Sequence, residues 1–457
     1  FLFQNSVILS PSLWIYAIHA QNAEIIHFLE ENKVHPKDIS FLECLTESIK
    51  CHHNDLANYF DQNYMNLHDS TELSDDILSS IFHYHNYSYF PLNNINDNVF
   101  FYLCFYDYST IVNQVDLSPS TMTIEDAVKE KKIKDIYYFL SKQEKIYEKM
   151  IPGNNLTKIA IPPSILTIEP KSFQNFRLLQ KISIPSSVTS IGDNAFDSCK
   201  NMSDIIIPSS VTYIGEEAFK DCDSLVKITL PSSVKKVDSS AFALCSLLAE
   251  VELSNSMTSI DSYTFSKCRS LKKVTIPPSI THIKTSAFED CIKLPNIRLS
   301  SSLKEIDNYA FDGCSSITQV SIPSSVTTIE SYLFNYCVSL QEISLPFSIK
   351  YIKIYAFKNC TSLKEIYIPS SVIFIGGGAF RSCTSLESIS IPPSVQSIDE
   401  ETFYDCKSLK EVEIPSSVTS INKSAFYYCE SLSEIKVHSD QSNVKKLVFP
   451  YVLQQQT

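Results

Sequence analysis

The chain has 457 residues, a formal net charge of −13 and a pI near 5.3. That balance argues against a nucleic-acid partner, which calls for a basic face to displace phosphate counterions, and no run of about 18 apolar residues offers a membrane-spanning helix. Eleven of the fourteen cysteines follow one period, so they call for a structural reading before a disulfide framework.

The opening FLFQNSVILS lacks the basic n-region and cleavage site of a secretory signal and has no initiator methionine, which leaves a missing upstream segment open. Residues 1–150 contain no glycine and have a helical pattern. Apolar residues from Trp14 to Asn32 recur at three- and four-residue steps, as in an amphipathic helix pair with a short break. The outline returns about 31 residues later from Leu45 to Phe60, where Ala17 answers to Ser48, Ile25 to Leu56 and Phe28 to Tyr59. Looser echoes cover Phe100–Val115 and Ile124–Leu140, the last opened by Thr123 as an N-cap, and Asn63–Asn98 reads as a degenerate helix pair with a long loop. The segment resembles diverged ankyrin-type repeats, with an irregular helical cap as the alternative; the usual T-P-L-H turn is missing.

IPGNN, residues 151–155, has turn chemistry and reads as the joint. Beyond it, one unit repeats every 23 residues. Cys199, Cys222, Cys245, Cys268, Cys291, Cys314, Cys337, Cys360, Cys383, Cys406 and Cys429 keep that interval, each with a phenylalanine three residues before it. Phe173 extends the series backwards, with Phe176 in the cysteine slot. A fixed period in this range signals a solenoid whose units bury their apolar faces only against their neighbours. In each unit, alternation such as Ile366–Tyr367–Ile368 marks a half-buried strand ended by Pro369. Thirteen such strands from Ile159 to Val437 predict a parallel sheet. A serine stands in one slot of every copy, from Ser164 through Ser187, Ser210, Ser233, Ser256, Ser279 and on to Ser417, and predicts hydroxyls that pair with backbone groups at the bend. A-F-x-x-C-x-S-L reads as a helical or 3₁₀ turn that points Ala, Phe and Cys inward.

The units I-P-S-S-V-T-S-I-G and A-F-x-x-C-x-S-L resemble the BspA-like class of leucine-rich repeats over residues 159–437. The fold class expected is an α/β repeat solenoid, a leucine-rich-repeat parallel-sheet rod of 23-residue units preceded by an all-α ankyrin-like segment. The expected domains are 1–150 helical, 151–437 repeats, and 438–457 a C-terminal cap and tail. Departures at Ser254 and Ser300 (for proline), Thr264, Leu333 and Thr402 (for alanine), and Met257 and Leu303 (for valine) predict locally loosened coils.

No catalytic constellation, cofactor motif or metal site is expected. Cys51, His52 and His53, with Cys44 nearby, miss the spacing of zinc motifs and read as helix residues, as do His83 and His85. Gly376, Gly377 and Gly378 follow no phosphate-loop spacing and read as a locally flexible loop. The candidate partner-binding face is the outward strand row: Ser183, Ile206, Thr229, Glu252, Thr275, Arg298, Ser321, Ser344, Tyr367, Ser390 and Glu413. Ile206, Arg298 and Tyr367 stand out as anchors, because apolar, aromatic and arginine side chains dominate binding energy; a merely solvated face is the alternative. The resemblance implies a non-enzymatic surface antigen or adhesin that binds a protein partner. An intracellular scaffold, favoured by the many thiols, and more remotely an enzyme's regulatory subunit, are the other readings. The partner, the location and the oligomeric state stay open.

Overall fold

The computed structural model describes residues 13–21, 23–31, 41–51, 53–60, 62, 75–84, 96–106, 112, 115, 117, 124–146, 148–152 and 155–437. The chain divides into two compact units, residues 1–119 with 132–134, and 120–131 with 135–457.

The first unit is helical: α1 (Leu13–His19), α2 (Ala23–Glu31), α3 (Phe41–Lys50), α4 (Asn54–Phe60), α5 (Asp75–His83) and α6 (Asp97–Phe105). The two helix pairs expected from the 31-residue echo are α1–α2 and α3–α4. Their equivalent positions Ala17 and Ser48 are both buried. Serine is tolerated there because its hydroxyl donates to the Cys44 carbonyl one turn back, at 2.8 Å. Trp14, Leu45 and Phe60 lie in the shared core, with the Trp14 and Phe60 ring centroids 6.0 Å apart. Asn96 caps α6 by accepting from the Val99 N–H at 3.0 Å. The third echo appears as α6, and the last as helices Ile124–Lys129 and Ile133–Leu140. Thr123, most of 63–98 and the tail 438–457 lie outside the described residues.

The second unit is the solenoid, and each 23-residue coil has three sides. The first side is the expected strand at eleven of the thirteen positions; 296–298 and 365–367, the latter including the Ile366–Tyr367–Ile368 alternation, form no strand. Val251 is buried between exposed or half-buried Glu250 and Glu252, and pairs in parallel with Ile228 on one side and Val274 on the other. The second side was not anticipated as strand. Two residues per coil, such as Ser190–Ile191 and Tyr213–Ile214, form a second parallel ladder at the V-x-x-I step. Its earliest member is Lys145–Ile146, paired with Thr167–Ile168, so the ladder begins ahead of the IPGNN segment.

The third side corrects the helical reading of A-F-x-x-C. The residue before Ala and the residue before Cys are left-handed in coil after coil, as at Asn194 (φ 55°) and Ser198 (φ 61°). The N–H groups of Asn194, Phe196 and Ser198 point to the next coil and donate to Glu216, Ala218 and Lys220 carbonyls at 2.7–2.8 Å. The N–H groups between them, of Ala195 and Asp197, and that of Cys199 just after, turn back three residues within the coil. Alternating hand lets the backbone bond along the stack while Ala195, Phe196 and Cys199 stay fully buried. A helix would have spent every N–H within the coil.

Phenylalanine rings stack coil on coil, 5.1 Å apart at Phe196–Phe219 and 5.8 Å at Phe311–Phe334, nearly coplanar in orientation at 10° and 6°. Each cysteine thiol donates to the carbonyl of the Phe column, Cys199 to Phe173 and Cys291 to Phe265 at 3.2 Å. Burial pushes these thiols up, Cys245 and Cys383 to about 12. The serine slot pairs as expected in most copies. Ser187, Ser210 and Ser348 donate to the carbonyl of Ile165, Val188 and Val326 in the preceding coil at 2.6–2.7 Å. Ser233 and Ser279 depart from this: their hydroxyls are buried without a partner. Where Ser254 and Ser300 replace proline, their hydroxyls instead accept from the Ser256 and Ser302 N–H groups. The buried Thr264 and Thr402 hydroxyls donate to carbonyls three residues back, at 2.7 and 2.9 Å, which satisfies them in an alanine slot.

The triple glycine is built into the stack, and the flexible-loop reading is corrected. Gly376 N–H donates to Ile352 and Gly378 N–H to Glu400, each at 2.8 Å. Gly378 is left-handed, and a Cβ there would lie 2.2 Å from the Tyr355 ring. Tyr309 and Tyr332 stack in this slot at 4.6 Å, whereas Tyr355 tilts across the space that Gly378 leaves and reaches Glu401.

Candidate protein-binding face

The first ladder carries the proposed row. Of its eleven side chains, Ile206, Thr229, Glu252, Thr275, Arg298, Ser321, Ser344, Tyr367, Ser390 and Glu413 are exposed. Ser183 is not. It is 2% exposed, and Lys158 and Ala160 in the preceding coil are buried too, so the face has no solvent side at this end. Polar members of the row are partly tied to neighbouring coils. Thr229 donates to Glu252 at 3.1 Å and Ser390 to Glu413 at 3.2 Å. The Lys227 ammonium, 3.0 Å from Glu252, holds that carboxyl below its ordinary range.

The ladder lacks a strand at two positions, 296–298 and 365–367, the second of which holds Tyr367. In several other coils two successive N–H groups, such as those of Lys272 and Lys273, bond one carbonyl of the coil before, here Ala249. Pro295 occupies the position of Lys272 one coil on and has no N–H to give. On its other side the Asn296 side-chain oxygen stands in for the Pro295 carbonyl, the equivalent acceptor by the repeat period. It takes the N–H groups of Thr318 and Gln319 at 3.3 Å and the Thr318 hydroxyl at 3.1 Å. At the first of these positions the surface opens into a groove of about 820 Å³. Asn296, Arg298, Gln319, Ser321, Glu342 and Ser344 line it, so three members of the proposed row converge there. Among the described residues Arg298 has no ion-pair partner.

One coil beyond Ser344 stands Tyr367, 66% exposed, with its ring centroid 6.3 Å from that of Phe347, which is 70% exposed. Sequence reasoning passed over Phe347. The signal was present: the position after the strand-ending proline is Ser186, Ser209, Ser232, Ser324, Ser370 or Ser416 in other coils. A phenylalanine in a serine slot has no core to fill.

The BspA type leucine rich repeat region matches at residues 144–261, 241–363 and 327–454. The chain belongs to the BspA-type leucine-rich-repeat family. A leucine-rich repeat protein from Bacteroides ovatus superposes on this BspA-type chain with a TM-score of 0.58 at 31% identity, over 67% of this chain and 85% of that one. A leucine rich cell surface protein from Faecalibacterium prausnitzii gives 0.48 at 29% over 66% and 93%, and the pneumococcal vaccine antigen PcpA gives 0.45 at 20% over 67% and 80%. A search of the curated proteins finds no match. The matched spans start at residue 144, so the ankyrin-like reading of the helical segment rests on its helix pairs alone.

Among the described residues no helix is long and apolar enough to cross a membrane.

Proposed function

We propose that this BspA-type solenoid is a non-enzymatic binding protein that takes a protein partner on its first strand ladder, centred on the groove at Arg298 and the Phe347–Tyr367 pair. The carrying observation is that pair: two large rings at 70% and 66% exposure, in edge contact, with Tyr367 on the same row as Arg298, which has no ion pair among the described residues. Exposed aromatic and arginine side chains are the types that dominate interface energies, and the open ladder supplies varying side chains on a rigid support. Ile206, 42% exposed, is an outlying apolar contact on the same row.

Family membership supports a surface antigen or adhesin as the finer reading. The thiols support the alternative of an intracellular scaffold, since each repeat sulfhydryl from Cys199 to Cys429 is engaged as a donor in its reduced form. Intact mass after alkylation of free thiols under denaturing, non-reducing conditions separates the two: added glycan or missing thiols indicates passage through the secretory pathway.

The binding face is tested with a photo-crosslinking residue at position 367 and, as control, at Tyr213 on the second ladder. A partner captured from 367 alone is then purified, and Phe347→Ala, Tyr367→Ala and Arg298→Ala are each expected to weaken its affinity at least tenfold with an unchanged circular dichroism spectrum. Equal capture from both positions, or unchanged affinity in all three variants, rejects this face.

A further inference from the structure

The helical unit brings together side chains that no sequence spacing joins. Cys44, grouped with Cys51 by proximity in sequence, is fully buried in the helical core, and His52 lies outside the described residues. Cys51 instead stands beside His19, from the last turn of α1, and Glu47, from α3. We infer that His19, Glu47 and Cys51 form a binding site for a divalent transition-metal ion, zinc by its donor set, that clips α1 to α3.

Three observations carry this. The first is distance. One ligand atom from each residue lies within 4.8 Å of the other two, and His19 Nε2 is 2.8 Å from Glu47 Oε1. Donors around tetrahedral zinc stand roughly 3.3–3.8 Å apart, given bonds of about 2.0–2.3 Å. The His–Glu edge therefore opens slightly and the sulfur approaches by about 1 Å, within ordinary side-chain rotation.

The second is placement. Glu47 and Cys51 are one helical turn apart, and the Cys51 N–H bonds to the Glu47 carbonyl at 3.0 Å, so the last turn of α3 aligns both side chains on one face. Glu47 Oε2 is already held by the Lys50 ammonium at 3.2 Å, which leaves Oε1 for the ion and orients the carboxylate from outside the ligand set. His19 is exposed and Cys51 half-buried, so an ion has an entry path.

The third is chemistry. A thiolate, an imidazole and a carboxylate together suit zinc or cobalt, whereas calcium and magnesium call for oxygen donors alone. Three protein ligands leave a fourth position for water or for a donor from a partner. A plain His–Glu hydrogen bond accounts for two of the three groups but makes no use of the sulfur, and the sulfur is what an experiment can read.

The full-length chain, stripped with chelator and kept reduced with a phosphine, is titrated with Co²⁺ and then Zn²⁺. One equivalent of Co²⁺ is expected to bind with a thiolate-to-cobalt charge-transfer band in the near ultraviolet, and Zn²⁺ to abolish the band by displacement. Cys51→Ser is expected to remove the band, and His19→Ala and Glu47→Gln to weaken binding at least tenfold each. Cys104→Ser, on α6, leaves it unchanged. Circular dichroism of each variant confirms that the helices persist, and His19→Asn, closer in shape, serves where alanine disturbs α1. Absence of a saturable band in the folded wild-type chain, a band that survives Cys51→Ser, or affinity unmoved by both His19 variants overturns the site.

Discussion

Asp312 shows how one side chain departs from the logic of its slot. It follows Phe311 in the third side of its coil, where burial first, and then the nearby Glu289 and Asp290 charges, push its carboxyl up to about 6, against a pull downward from Asn335, whose amide donates to it at 2.9 Å. The sign follows from the direction of the shift. A carboxyl raised in the folded state binds its proton more tightly there than in the unfolded chain, so it destabilises the fold increasingly as pH rises from 3.8 through about 6. Asp312→Asn keeps an acceptor for Asn335 and removes the charge. Denaturant unfolding is expected to show the variant equal to wild type below about pH 4 and more stable above about pH 6. A gain that is the same at both pH values would assign the effect to packing. The cysteines are a contrasting case at this scale, since burial raises their pKa without cost at neutral pH, where the thiol is already protonated.

At the scale of one element, the coil containing Pro295 has lost its ladder donor and recruited Asn296 as a substitute acceptor. Asn296→Ala leaves the Thr318 and Gln319 N–H groups to solvent and is expected to cost about 1 kcal/mol, with faster amide exchange at both residues. In a Pro295→Gln background the coil regains an ordinary backbone at this position, and the same Asn296→Ala change is expected to cost less than half as much. An additive cycle, with the two changes indifferent to each other, rejects the substitution argument. The groove at Arg298 opens at this coil, so an element that departs from the repeat is also one that offers a surface recess.

For the molecule as a whole, the solenoid is held by contacts between neighbouring coils, and its core runs without interruption from Ala127 to Leu432. Removal of residues 225–247, one 23-residue coil, joins Ser224 to Leu248 in register. The shortened chain is expected to fold with the same circular dichroism shape and a cooperative melt. Deletion of one residue fewer, 225–246, shifts the strand by one and sends its buried side chains to the solvent face, and is expected to lose cooperative unfolding. Similar melts for both deletions would mean that the coils are not coupled by register.

The sequence by itself determined the solenoid, its period, the buried column of Ala, Phe and Cys, and most of the exposed row, because these depend on side-chain periodicity, and periodicity is local. Tyr367 and Arg298 were legible for the same reason. Phe347 was legible too, as an aromatic in a serine slot, although it lies outside the alternating strand row. Only the tertiary structure decided the rest. The left-handed residues of the third side come from bonding between coils, which residue spacing does not encode. The burial of Ser183 and the tilt of Tyr355 over Gly378 depend on what lies in the neighbouring coil. His19 and Glu47 lie 28 residues apart and meet because α1 packs against α3. A repeat pattern states which residues face inward, whereas contacts between units, and the bonds left unmade where one unit deviates, exist only once the chain is stacked.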